Sequence, residues 1–100
     1  MRIPIQSVAD LGLAVRALRR HSRVRIDDLA ATARVSKQFT QDLEHGKSTI
    51  QLGRVLKVLA ELGIPLELDI PEEAAPALTT LRASMGARDT THSPAPKKRS

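Results

Sequence analysis

Side chains that can hydrogen-bond to the edges of DNA bases are concentrated in the segment Ser36–Lys47. Gln41 follows Lys37 by four residues and Gln38 by three, a spacing that places all three on one side of a helix. A lysine ammonium suits the acceptor atoms of guanine, and a glutamine amide suits the paired donor and acceptor of adenine. We therefore predict that these three base-reading residues face a major groove. Asp42 would repel phosphates and is either a bystander or an acceptor for cytosine.

These contacts require a helix over residues 36–45 whose opposite side is anchored in a core. Ser36 is a favourable N-cap, and Gly46 stops the helix as the residue after its C-cap. Thr40 and Leu43 face inward in this arrangement. Phe39, at the edge, is assigned to the core rather than to a thymine methyl group.

A second short helix, over residues 26–33, precedes this one. Ala30 and Ala33 are small enough for the two helices to approach closely, and Leu29 gives the first of them an apolar anchor. Two short helices joined by a turn of three or four residues place the second across the first. In that geometry the N-terminal residues of the second helix reach base edges. The pattern therefore predicts a helix-turn-helix.

Two longer amphipathic helices flank this pair. The sequence predicts the first over residues 7–20, beginning at a capping box of Ser7 and Asp10. It predicts the last over residues 50–62, beginning at a capping box of Ser48 and Gln51. Their apolar residues recur at helical spacing: Val8, Leu11, Val15 and Leu18 in the first, and Leu52, Val55, Leu56, Leu59 and Leu62 in the last.

The hydrophobic period changes to two after these helices, which predicts one β-strand that ends at Pro71. A lone strand leaves its backbone groups unpaired, and the brief stretch Arg2–Ile5 is the one other candidate in the chain. We therefore expect the strand to pair with its own copy across a two-fold axis, in a homodimer. The apolar face of this dimer strand consists of Ile64, Leu66, Leu68 and Ile70.

The sequence divides into a domain over residues 1–71 and a tail over residues 72–100. The tail is rich in Ala, Pro, Ser, Thr and charged residues, a composition typical of flexible, disordered segments. Leu78, Leu81 and Met85 have the spacing of a short helix over residues 77–85. The basic run 96–99 is interpreted as a solvated tail that adds attraction to DNA.

Charge is unevenly distributed along the 100 residues, which carry a formal net charge of +5. Residues 1–60 hold 11 Lys and Arg against 5 Asp and Glu, whereas residues 61–81 hold 5 acidic residues and no basic ones. A basic folded part suits a polyanion such as DNA.

The composition also disfavours several functional classes. The absence of cysteine excludes disulfides and thiolate metal sites and fits a reducing cytoplasm. His21, His45 and His92 lack the spacing of metal ligands, and no nucleophile, base and orienting group can be assembled. The sequence has no glycine-rich phosphate loop, no apolar run long enough for a membrane span and no signal-peptide pattern. We therefore expect a cytoplasmic protein that is not an enzyme. We also expect it to bind neither a metal nor a cofactor.

The run VSKQFTQDLEHGK resembles the recognition-helix signature of the lambda-repressor-type, or XRE-type, helix-turn-helix family. The matching features are an Ala-x-Val-Ser turn, the inward Thr40, and Leu-Glu-x-Gly-Lys. The order of helices, followed by a strand after the Ala-x-Leu-Gly ending of residues 60–63, is similar to that of HipB-type antitoxins, whose dimers pair C-terminal strands. The likeness covers residues 7–70 and implies an all-α, lambda-repressor-like helical bundle with one C-terminal β-strand that pairs across a homodimer.

The resemblance implies roles for further residues. Glu44 is expected to form a structural ion pair with Arg19 of the first helix. Lys47 matches a position near the phosphate backbone, as does Arg25 at the start of the second helix; Ser36, which opens the recognition helix, completes the predicted backbone contacts.

Two positions depart from the family pattern. Arg34 stands at a turn position where the family often has glycine in the left-handed backbone conformation. That conformation costs an ordinary residue roughly 1–2 kcal/mol, so we predict that the turn is reshaped here. Arg25 and Ile26 replace the Thr-Gln pair that usually opens the second helix. The usual N-cap and the glutamine that contacts phosphate are therefore both missing.

The function that follows is a sequence-specific repressor that binds a palindromic site on double-stranded DNA. The resemblance implies the antitoxin of a type II toxin–antitoxin system, which binds a HipA-like serine/threonine kinase toxin, regulates its own operon and lies at the nucleoid. The alternatives are a free-standing XRE-family regulator of the phage or restriction-system type and a protein-interaction adaptor that does not bind DNA.

Overall fold

The computed structural model describes residues 1–89 of the chain. Residues 1–66 form one compact unit, and the second unit begins at Glu67. The helices are α1 (Val8–His21), α2 (Ile26–Ala33), α3 (Lys37–Glu44), α4 (Leu52–Glu61), a single turn of 3-10 helix (Glu72–Ala74) and α5 (Ala75–Asp89).

The helices of the first unit enclose an apolar core. The α3 helix packs against α1 and α2, and α2 also packs against α4, so α3 is held from two sides. Phe39 is buried, which confirms its assignment to the core. The core residues are Val15, Leu29, Ala33, Phe39, Leu43, Val55, Val58 and Leu59.

The helix starts follow the predicted capping signals except at α4. The Ser7 side chain accepts a hydrogen bond from the Asp10 amide at 3.1 Å, as its capping motif predicts. The predicted capping box of Ser48 and Gln51 is wrong, because Gln51 is itself the N-cap of α4 and makes no side-chain capping bond. Its carbonyl instead accepts from the amides of Arg54 and Val55.

The four helices of the first unit end in the same way, with a residue in the left-handed region. Gly46 (φ 77°) and Gly63 (φ 73°) hold this position after α3 and α4, whereas Arg23 (φ 58°) and Arg34 (φ 59°) hold it after α1 and α2. After α2 the Arg34 amide bonds to the Ala31 carbonyl and the next amide to the Ala30 carbonyl, the pairing of a Schellman motif. The expected reshaping of the turn at Arg34 is therefore wrong, because the arginine adopts the glycine-like conformation.

Residues 64–70 form no β-strand in the single chain, and none is found elsewhere within residues 1–89. A strand needs a hydrogen-bonded neighbour, and Arg2–Ile5 does not supply one. Ile64 packs against the core, whereas Leu66, Leu68 and Ile70 are exposed. Pairing of this segment with a second copy remains a prediction.

The described part of the second unit contains α5. This helix extends beyond the predicted helix over 77–85 at both ends, and Pro76 lies in its first turn, where no amide hydrogen bond is required. The side chains of Leu78, Leu81 and Met85 are exposed along it. His92 and the basic run 96–99 lie outside the described residues.

Candidate nucleic-acid interface

The α2 and α3 helices are joined by the three residues Arg34 to Ser36, which makes the predicted helix-turn-helix. Ser36 caps α3, because its hydroxyl oxygen accepts from the Phe39 amide at 2.9 Å. One turn later, the Thr40 hydroxyl donates to the Ser36 carbonyl at 3.1 Å. The start of α3 is therefore fixed by hydrogen bonds from both a backbone and a side-chain donor.

The buried side of α3 determines which residues it presents outward. Thr40 and Leu43 have no exposed surface, so they fix the rotation of the helix about its axis. Lys37 and Gln38 are consequently exposed, and Gln41 is half-buried between the outer face and the core. The structure thus places the predicted base-reading residues together on one side of α3, and their contacts with DNA remain predictions.

A carboxylate of α2 pairs with Lys37. The Lys37 ammonium lies 3.0 Å from Asp27, and the guanidinium of Arg25 lies 3.5 Å from the other oxygen of the same carboxylate. The hydrogen bond from Lys37 lowers the pKa of Asp27 below its usual value, with a smaller contribution from Arg25. Asp27 therefore stays ionised at neutral pH beside two residues that we predict to contact DNA.

A second carboxylate, that of Asp42 in α3, makes a matching arrangement. The Gln38 amide nitrogen donates to Asp42 at 2.9 Å, and the ammonium of Lys47 lies 3.6 Å from the other oxygen of that carboxylate. Within the protein Asp42 thus contacts two neighbours, and its role towards DNA, as a bystander or an acceptor for cytosine, remains a prediction. The spacing of four residues between Gln38 and Asp42 was a signal that sequence alone could have given.

The predicted backbone contacts lie around the two helix starts and the end of α3. Arg25 is the N-cap residue of α2 and makes no side-chain capping bond, in agreement with the missing cap in the sequence. The Ser36 hydroxyl oxygen serves as an acceptor in its cap, so its proton is available to a phosphate oxygen. Lys47 follows the left-handed Gly46, and its amide bonds back to the Asp42 carbonyl at 2.9 Å.

Arg19 and Glu44 form the ion pair that the family resemblance implies. The Arg19 Nε and Nη2 atoms donate to the two oxygens of Glu44 at 2.6 and 2.9 Å, and Nη1 donates to the Val24 carbonyl at 3.1 Å. The carboxylate side chain is only 3 % exposed and the arginine side chain 14 %. The hydrogen bond to Glu44 raises the pKa of Arg19. This pair joins α1 and the loop after it to the end of α3.

Gly12 supports the same junction, and nothing in the hydrophobic pattern marks it. A Cβ atom at this position would collide with the carbonyl oxygen of Leu43 and would lie 2.8 Å from that of Glu44. The α1 helix can therefore approach the last turn of α3 only with glycine at this point.

No group of three or more metal-ligating side chains is found within the described range 1–89. In the same range no helix is both long and apolar enough to cross a membrane.

The sequence is similar to that of an HTH-type transcriptional regulator, y4mF, of Sinorhizobium fredii. The two are 44% identical over 69 residues, which is 69% of this chain and 91% of the relative. No family model matches the chain.

Solved structures share the fold. A chain of the HipB-O4 20mer complex matches with a TM-score of 0.65 at 18% identity, over 71% of this chain and all of that one. The clp gene regulator ClgR from C. glutamicum matches with a TM-score of 0.53 at 26% identity, over 83% of this chain and 96% of that one. The helical arrangement is thus one that a known gene regulator shares.

Proposed function

The chain belongs to the family of helix-turn-helix transcriptional regulators, and on that premise we propose that it is a dimeric repressor whose α3 recognises a palindromic operator. The observation that carries this proposal is the row of Lys37, Gln38 and Gln41 on α3, opposite the buried Thr40 and Leu43. Such a protein acts in the cytoplasm, at the nucleoid.

The recognition step divides between base edges and phosphates. Lys37, Gln38 and Gln41 contact bases, for which ammonium and amide groups have suitable donors and acceptors. Arg25, Ser36 and Lys47 contact the phosphate backbone and fix the register of α3 in the groove. The two α3 helices of a dimer meet successive major grooves about 34 Å apart.

A gel-shift assay with the promoter fragment of the protein's own operon tests this function. Replacing Lys37 and Gln41 together with alanine should abolish the selective shift, while light scattering should show that the variant is still a dimer. The matched control is Lys57→Ala, which removes an exposed lysine from α4. If the double variant shifts the promoter as well as the wild type does, α3 is not the reading helix.

The finer part of the proposal is that the protein belongs to a type II toxin–antitoxin system. The repressor is the antitoxin, it binds a HipA-like serine/threonine kinase toxin, and it represses the genes for both proteins. The support for this branch is the HipB-type order of helices, with a C-terminal segment of period two after Gly63, together with the shared fold of the HipB chain at 18% identity.

A second candidate is a regulator without a toxin partner. The support for it is the HTH-type transcriptional regulator at 44% identity, together with ClgR, whose identity of 26% exceeds the 18% of the HipB chain although its TM-score of 0.53 is lower than 0.65. Co-purification of the tagged protein from its host separates the two candidates. A kinase eluting in stoichiometric amount supports the antitoxin, and elution of the regulator alone supports the second candidate.

A further inference from the structure

Two acidic residues lie on a surface that must approach a polyanion. Asp27 bridges a predicted base-reading residue, Lys37 at 3.0 Å, and a predicted phosphate contact, Arg25 at 3.5 Å. The carboxylate and the two cations all belong to exposed side chains. Asp27 and Asp28 both lie in the first turn of α2, where a carboxylate stabilises the helix N-terminus. Only Asp27 of these two pairs with cations, and exposed ion pairs of this kind contribute little to stability.

Asp42 repeats the same arrangement with different partners. It accepts from the predicted base-reading residue Gln38 at 2.9 Å and pairs with the predicted phosphate contact Lys47 at 3.6 Å. Each acidic residue therefore joins one residue of each kind. The same combination of contacts thus occurs at the carboxylate of α2 and at that of α3.

We propose that Asp27 and Asp42 are specificity-determining residues, which weaken binding to random DNA and hold Lys37 and Gln38 in position for base contacts. This inference rests on the proposed DNA-reading function of α3. Neither carboxylate touches a base in this scheme, so both act as positioning residues.

The effect on random DNA follows from charge. Non-selective affinity comes almost entirely from cations that displace counterions from phosphates. Arg25, Lys37 and Lys47 carry three positive charges, and the two carboxylates that pair with them offset two. A phosphate in an arbitrary register must therefore compete with an acceptor that is already in place.

The effect on base contacts follows from the remaining donors. One N–H of the Lys37 ammonium points to Asp27, which leaves two donors on a side chain with a fixed direction. One N–H of the Gln38 amide points to Asp42, which leaves the other N–H and the carbonyl oxygen for the paired pattern of adenine. Side chains that are held in this way lose less conformational entropy when they bind.

The test compares two duplexes of equal length: one selected from a random library by the wild-type protein and one of scrambled sequence. Asp27→Asn and Asp42→Asn remove the charge and keep an oxygen acceptor. Each should tighten binding to the scrambled duplex roughly threefold and steepen its salt dependence by up to about 0.9 in slope. The selected duplex gains the same attraction of phosphates, but a neutral acceptor holds Lys37 or Gln38 less firmly for its base contact. The ratio of selected to scrambled affinity should therefore fall. Asp42→Ala, which also releases Gln38, should lower the ratio further than Asp42→Asn.

The matched control is Asp28→Asn, since Asp28 lies next to Asp27 in the first turn of α2 and forms no ion pair with any residue of the described part of the chain. It changes the net charge equally and should leave the ratio unchanged. If the ratio of selected to scrambled affinity were the same for the wild type, Asp27→Asn and Asp42→Asn, this inference would be wrong while the proposed function would stand. The same would hold if Asp28→Asn lowered the ratio as much as the two test variants do. A wild-type protein that enriches no sequence from the library would overturn the proposed function itself. Melting curves verify that each variant is folded.

Discussion

Two arginines occupy left-handed backbone positions that glycine would occupy without steric cost. Arg34 ends α2 at φ 59°, and its side chain is exposed. The strain stays in the structure because the two Schellman hydrogen bonds after α2 depend on this conformation. The position of α3 relative to α2 is therefore maintained against a local cost.

Arg34→Gly should raise the free energy of unfolding by about 1 kcal/mol, because it relieves the left-handed strain and keeps the hydrogen bonds. Denaturant unfolding followed by circular dichroism measures the change. Arg34→Ala is the matched control and should show no gain, since alanine keeps the Cβ that causes the strain. If Arg34→Gly were no more stable than Arg34→Ala, the left-handed backbone would not be strained at this position.

The Arg19–Glu44 pair should stabilise α3 through its connection to α1. Glu44→Ala leaves a largely buried guanidinium without its partner, which costs about 3 kcal/mol and should lower the melting temperature. Glu44→Gln keeps one oxygen acceptor for Arg19 and should lose less. An unchanged melting curve for the alanine variant would show that the pair has no structural role.

At the scale of elements, the approach of α1 to the end of α3 depends on one missing side chain. Gly12→Ala drives a methyl group into the carbonyl oxygens of Leu43 and Glu44, which are backbone atoms and cannot rotate away. We expect a loss of about 1–3 kcal/mol in thermal or denaturant unfolding.

The same substitution in α4 has the opposite sign and serves as the matched control. A Cβ atom added to Gly53 would meet nothing within 4 Å, so Gly53→Ala should gain about 0.5–1 kcal/mol from lower backbone entropy in the unfolded chain. If both variants lost stability equally, the close contact at Gly12 would not be the cause.

The helices could be predicted from the sequence where their ends and buried sides depend on residues close together in the chain. Ser36 and Gly46 mark the ends of α3 because a cap and a left-handed stop are each made within a few residues. Thr40 and Leu43 similarly fix its buried side through helical spacing. Contacts between distant segments leave no such trace, as the pairing of Asp27 with Lys37 across the turn shows.

The misplaced start of α4 has a related cause. Ser48 and Gln51 satisfy the spacing of a capping box, but that spacing does not show which residue the backbone uses as the cap. In the structure the chain reaches helical geometry only after Gln51. A sequence pattern therefore locates a helix more reliably than it locates its first residue.

At the scale of the whole molecule, the segment 64–70 carries apolar side chains that the single chain leaves in solvent. Leu68 is 85 % exposed, and Leu66 and Ile70 are close to half exposed. A first unit of 66 residues buries about 60 % of the surface that its unfolded chain exposes, a smaller fraction than in larger domains, so association with a second copy would stabilise it. Two copies of α3 would also provide the two-fold symmetry that a palindromic operator requires.

Dimerisation through this segment predicts that the melting temperature rises with protein concentration, because association stabilises the folded state by mass action. Replacing Leu66 and Leu68 together with lysine places like charges at the pairing site and should yield a monomer by light scattering, with a melting temperature independent of concentration. Leu13→Lys alters an exposed leucine of α1 and should retain the dimer mass. A dimer mass for the double variant would assign the two-fold contact to another surface. Because a monomer keeps α3 intact, its remaining affinity for half of the palindrome would measure how much of DNA recognition belongs to one helix and how much to the pair.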